Sequence, residues 1–91
     1  GEPYAAALYN QALLAERAKK YEKALNYYDN CAIGYSNCLK YSGKAALAEA
    51  KLLVRMGDIE KAKETCDAYL KTPDAAASPE HDQIVNYKNT L

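Results

Sequence analysis

The sequence predicts an all-α fold built from helix-turn-helix repeats, and three observations carry that prediction. The stretch Arg17–Asp29, RAKKYEKALNYYD, returns 38 residues later as RMGDIEKAKETCD, Arg55–Asp67. At this offset Glu22-Lys23-Ala24 falls on Glu60-Lys61-Ala62, and Ala12 and Leu14 fall on Ala50 and Leu52. Self-similarity at such a period marks stacked supersecondary units. Apolar residues recur at spacings of three and four through most of the chain. Ala, Leu, Glu and Lys dominate while Pro is scarce, so helix is favoured nearly throughout. A chain of 91 residues buries a thin core, which suits units that pack only on their neighbours.

Pro3 fits a first helical position, where its missing N–H costs nothing, and Tyr4, Leu8, Ala12 and Ala15 give one face of a first helix over about Pro3–Lys19. Glu16 and Lys20 are spaced to pair at its far end. The Lys19-Lys20 corner is equivalent to Gly57-Asp58, in which Gly ends one helix and Asp caps the next. Ala24, Tyr28, Cys31, Tyr35 and Cys38 then trace a face of a second helix over about Tyr21–Tyr41. Gly34 interrupts that face and could end the helix there; the unbroken spacing favours continuation.

Ser42-Gly43 reads as the turn between units. Ala46, Ala50 and Leu53, with Leu47 and Val54 beside them, mark a third helix over about Gly43–Met56. Ile59, Ala62, Cys66, Tyr69 and Leu70 form the inner stripe of a fourth, with Asp67 and Lys71 spaced to pair, and Thr72-Pro73 stops it. Residues 73–79 read as a loop. Ser78-Pro79-Glu80 supplies cap, first position and first-turn acid for a fifth helix over about 80–91, whose stripe of Ile84, Tyr87 and Leu91 would cover the end of the second unit. The domain organisation is a single unit over 1–91, with repeat one about 4–41 and repeat two about 43–72.

Twelve basic and twelve acidic residues are interspersed, which leaves no electrostatic footprint for nucleic acid or an anionic membrane. Apolar runs such as 5–9 and 52–54 fall far short of the ~20 residues of a membrane span. Gly1 reads as a cleavage or excision boundary. Cys31, Cys38 and Cys66, odd in number and at helix-core positions, read as reduced thiols, which predicts a reducing, cytoplasmic setting. Their spacing does not suit zinc. His81, the single histidine, has no catalytic partner in view. No phosphate loop, nucleophile motif or pocket-like pair of carboxylates stands out, so neither an enzyme nor a cofactor is expected. Nine tyrosines, with no Phe or Trp, are the unusual feature; Tyr28, Tyr35 and Tyr69 fall on inner faces, whereas Tyr9 is a credible contact residue.

Small residues at Ala12 and Ala50, larger ones at Tyr21 and Ile59, small residues at Ala24 and Ala62, and the Gly57-Asp58 corner together resemble the tetratricopeptide repeat (TPR) over about 5–72. Gln11 stands where that family has Leu, a proline is missing near Ser36, and the 38-residue period is long. The resemblance implies a right-handed α-solenoid of two repeats plus a C-terminal capping helix. It further implies a concave groove, lined by the first helix of each unit, that binds a peptide or helix of a partner protein. Carried over, that groove comprises Tyr9, Asn10, Leu13, Glu16 and Arg17 with Leu47, Lys51, Val54 and Arg55. The family's clamp for C-terminal carboxylates is not matched beyond Asn10. A protein–protein interaction module or adaptor is thus expected, and the alternative is a self-associating structural unit of a larger assembly. Arg17 and Arg55 also suit the helix dipole at their helix ends.

Overall fold

Small side chains set how closely these helices approach. In the computed structural model, which describes residues 1–91, the chain is all-helical with no strand: α1 (Glu2–Arg17), α2 (Tyr21–Asp29), α3 (Ser42–Arg55), α4 (Ile59–Leu70) and α5 (His81–Asn89). Helix α1 packs on α2 and α3 on α4, and Ala12, Ala24, Ala50 and Ala62, one on each of these helices, have no exposed surface. Ten of the 19 core residues are alanine, so bulk comes from a few large side chains: Tyr28, Tyr69, Leu52 and Ile84 are fully buried. The result is a slab of 32 × 31 × 15 Å. No helix is long and apolar enough to cross a membrane.

The repeated sequence makes the same corner twice. Lys20 N–H donates to Ala15 O at 2.8 Å and Asp58 N–H to Leu53 O at 2.9 Å; Lys19 N–H donates to Glu16 O and Gly57 N–H to Val54 O. Each acceptor and donor in one corner is 38 residues from its counterpart. Both corners need a left-handed residue, filled by Gly57 at φ 85° and by Lys19 at φ 60°. Asp58 Oδ1 accepts from Lys61 N–H at 3.2 Å and caps α4; Lys20 offers α2 no side-chain cap.

The second helix is shorter than its periodicity predicts. After Asp29 the chain widens into one π-helical turn, Asn30–Gly34, and Tyr35 leaves the helical region at φ −127°, ψ 40°. Tyr35 and Cys38 are therefore half-buried from a non-helical segment rather than from a helix face. Polar side chains hold that segment: Ser42 Oγ donates to Ser36 O at 2.9 Å and lies 2.8 Å from the Tyr69 hydroxyl, while Ser36 Oγ donates to Asp74 Oδ2 at 2.8 Å. Hydrogen bonds of this kind compete with helix continuation. Tyr35 also stacks on Tyr4, centroids 5.5 Å apart.

Three other expectations are corrected. Ser42 and Gly43 belong to the first turn of α3, and the turn between units lies before them. A Cβ at Gly43 would collide with Ser78 Oγ and Glu80 Oε1, so glycine lets the turn that leads into α5 cross α3 closely. Ser78 Oγ accepts from Glu80 N–H at 3.2 Å in a turn, and α5 itself begins at His81. The expected local ion pairs are replaced by longer ones: Glu16 pairs with Arg55 and Asp67 with Lys88, joining hairpin to hairpin and α4 to α5. Partners on neighbouring elements tie the packing, which a pairing within one helix cannot do.

Candidate functional site

The first helix of each hairpin and α5 present their faces on one side of the slab. There Tyr9 from α1, Lys44, Leu47, Ala48 and Lys51 from α3, and Glu80 and Gln83 around the start of α5 line a cleft of about 310 Å³. A second cleft of about 260 Å³, sharing Leu47, Lys51 and Gln83, extends it along α5 past Asn86, Tyr87 and Thr90. The two form one groove. Lys51 Nζ sits 5.7 Å from the centre of the Tyr87 ring, an arrangement in which the ring face attracts the cation.

Of the residues expected in a groove, Tyr9, Leu47 and Lys51 line it together. Tyr9 packs its ring 6.1 Å from those of Tyr28 and of Tyr41, and burial, then the Cys31, Glu80 and Glu16 charges, push its hydroxyl pKa up. It stays a neutral donor. Glu16 and Arg55 are taken up with each other, and Glu16 Oε1 also accepts from the Tyr28 hydroxyl at 2.7 Å. Burial and that hydrogen bond raise the Tyr28 hydroxyl far above its ordinary value. Leu13 and Val54 are half-buried against the core. Asn10 and Arg17 are exposed and line neither cleft.

The far wall was missed by the sequence reading, which treats the fifth helix as a cap. The offset that relates the hairpins carries the signal: Leu8, Ala46 and Ile84 are each 38 residues apart, and all three are buried. The fifth helix thus stands in register with α1 and α3.

The opposite side holds something the sequence reading excluded. Glu22, Leu25, Asn26 and Asp29 on α2 face Lys61, Glu64, Thr65 and Ala68 on α4 across a cleft of about 350 Å³ floored by Glu49 and Leu53 of α3. Glu49 is 7% exposed and its Oε1 has no hydrogen-bond partner. Burial pushes its carboxyl up to about 8, assisted by the charge of Asp29 and a hydrogen bond to it, with Lys61 opposing. Glu49 and Asp29 are a pocket-like pair of carboxyls after all. They lie twenty positions apart on successive helices, so no local spacing reveals the pair.

All three cysteines are free thiols, and Cys31 and Cys66 are buried. Burial, with the charge of Cys38, pushes Cys31 up to about 11. No group of three or more His, Cys, Asp or Glu side chains converges to hold a metal ion. Fold and clefts together define an all-helical protein of two like hairpins and a fifth helix, with a groove on one side and an acidic cleft on the other. Comparison with protein-family models, curated proteins and solved structures yields no match.

Proposed function

We propose that the chain is a non-catalytic interaction module, an adaptor of the tetratricopeptide type, that holds a peptide or helical segment of another protein along the groove of α1, α3 and α5. The observation that carries this reading is the continuity of that groove: Leu47 and Lys51 belong to both of its clefts, so one extended segment can touch three helices in succession. Lys44 and Lys51 on its floor, with Tyr9 and Tyr87 at its sides, favour a segment bearing a carboxylate and an apolar residue. The buried thiols fit a reducing, cytoplasmic setting.

Lys51 and Gln83 are both exposed, so Lys51→Glu with Gln83→Glu leaves the fold intact and reverses the groove's charge. Surface changes of this kind cost within about 0.5 kcal/mol of stability. A partner retained from lysate by the wild type and lost, by tenfold or more, from the helical double variant supports the reading. Equal retention by both places the binding face elsewhere.

Self-association is the second reading, favoured by the outer face of the first hairpin. There Pro3, Tyr4, Ala7, Leu8, Gln11 and Tyr27 line a hollow of about 510 Å³ in which Tyr4 is 62% exposed, and Leu14, in an adjoining hollow that shares Gln11 and Tyr27, is 61% exposed. Large apolar side chains gathered in water mark contact surfaces. Under this reading, sedimentation of the wild type shows a mass that rises with concentration, and Tyr4→Glu with Leu14→Glu holds it at the monomer. A wild type that stays monomeric at all concentrations removes it.

A further inference from the structure

The acidic cleft between the hairpins is independent of the groove. Glu49 on its floor and Leu47 in the groove are two residues apart on α3, hence roughly 200° around the helix. Four carboxyl groups, Glu22, Asp29, Glu49 and Glu64, line the cleft against one cation, Lys61. None of the five takes part in an ion pair anywhere in the molecule. Leu25, Leu53 and Ala68 supply an apolar wall beside them.

Within this cluster Glu49 is the distinctive group. Its side chain is buried in the wall of the cleft and Oε1 has no donor, although buried carboxyl oxygens are nearly always hydrogen-bonded. A ligand that satisfies it must bring N–H donors and positive charge. A metal ion is disfavoured because no set of ligands converges. A guanidinium works as a planar fork on both oxygens of one carboxylate, whereas the acceptors here are spread over two carboxyl groups, Glu49 and Asp29. An ammonium is a compact charge with three rotatable donors, and its methylene stem can lie along an apolar wall.

We infer that this cleft binds a primary alkylammonium, its head between Glu49 and Asp29 and its stem along Leu25, Leu53 and Ala68. The same chemistry is presented by a free diamine and by a lysine side chain of a protein. Binding exchanges a proton: neutral Glu49 carboxylic acid and R–NH3+ become the Glu49 carboxylate paired with R–NH3+, and one proton passes to the buffer. The titratable and charged groups facing Glu49 are Glu22 and Asp29 from α2, and Lys61, Glu64 and the Cys66 thiol from α4. With Glu49 raised to about 8, affinity falls about tenfold per pH unit below that value. Above it the affinity levels off until the amine itself deprotonates, near ~10.4 for a lysine-like group.

Isothermal titration of the full chain tests this, with 1,5-diaminopentane and Nα-acetyl-lysine amide as probes and 1-pentanol as the uncharged control. Runs at pH 8.5 in two buffers of different ionisation enthalpy count the protons released, and a run at pH 6.5 reads the pH dependence. The expected result is binding of an ammonium probe, none of pentanol, release of a fraction of a proton at pH 8.5, and weaker affinity at pH 6.5. Tighter binding of acetyl-lysine amide identifies a protein lysine as the natural source; tighter binding of the diamine identifies a free one. Glu49→Gln should abolish the proton release and weaken binding at least tenfold with helicity unchanged. Asp29→Asn, at an exposed position on α2, should also weaken binding and serves if the Glu49 variant does not fold. The inference is overturned if neither ammonium binds at millimolar concentration, if pentanol binds equally, or if both variants bind as the wild type does.

Discussion

Tyr28→Ala is expected to lower the free energy of unfolding by about 3–5 kcal/mol, the range for truncating a buried aromatic side chain. A chain of this length has about 5–14 kcal/mol in all, so the loss is a large share of it. Tyr28 is fully buried from α2 in a core made mostly of alanines, which cannot move in to refill the volume. It also reaches across structure: its ring packs on Tyr9 and its hydroxyl donates to Glu16, which pairs in turn with Arg55 of the second hairpin. Tyr28→Phe separates the two contributions. It keeps the ring and leaves Glu16 with Arg55, so it should cost about 1.5–3 kcal/mol, the range for a hydrogen bond to a charged group. Urea unfolding followed by circular dichroism measures both. A Tyr28→Ala loss below about 1 kcal/mol would mean that the core closes over the gap and the brace assigned to Tyr28 is not there.

Stability should also depend on pH in the direction opposite to that of ordinary surface carboxylates. Glu49 is raised in the folded chain from 4.5 to about 8. Between those values the folded state holds a proton that the unfolded state has released, so rising pH favours unfolding. The contribution is fully present below about 4.5 and is lost as pH rises through about 8. At 1.36 kcal/mol per pKa unit the whole effect is on the order of 5 kcal/mol. Glu49→Gln keeps the shape and a hydrogen-bond donor but cannot ionise. The stability of the wild type minus that of the variant should therefore decline steadily from pH 5 to pH 8, and contributions from the other acids cancel in the difference. A flat difference would show that Glu49 ionises freely in the folded chain.

Helix existence and type were readable because the periodic stripes are long, and the Gly57-Asp58 corner because its two residues have the chemistry that such a corner requires. The equivalent corner at Lys19-Lys20 carries no such residue and is legible only through the repeat. The second helix misled because Tyr35 and Cys38 keep a helical spacing while the chain around them is turned; Ser36 and Ser42 had to find Asp74 and Tyr69 before the non-helical path had its hydrogen bonds. Ion pairs at helical spacing gave way to partners on other helices, and those partners depend on packing angles that no single helix encodes. The groove's near wall followed from the position of Tyr9, Leu47 and Lys51 on the first helix of each unit. Its far wall and the Glu49–Asp29 pair exist only after separate helices come together.

The two like corners differ at two positions, the left-handed residue and the cap that follows it, and both differences rank the hairpins. Lys19 and Gly57 occupy the same left-handed conformation, which costs a residue with a Cβ about 1–2 kcal/mol and glycine nothing comparable. The first hairpin also leaves Tyr4 and Leu14 in water on its outer face, whereas the second is flanked on both sides, by the first and by α5. Local opening therefore starts at the amino-terminal end: amides of α1 and α2 exchange with solvent ahead of those of α3 and α4, and the frayed ensemble keeps the second hairpin and its fifth helix as the last ordered unit.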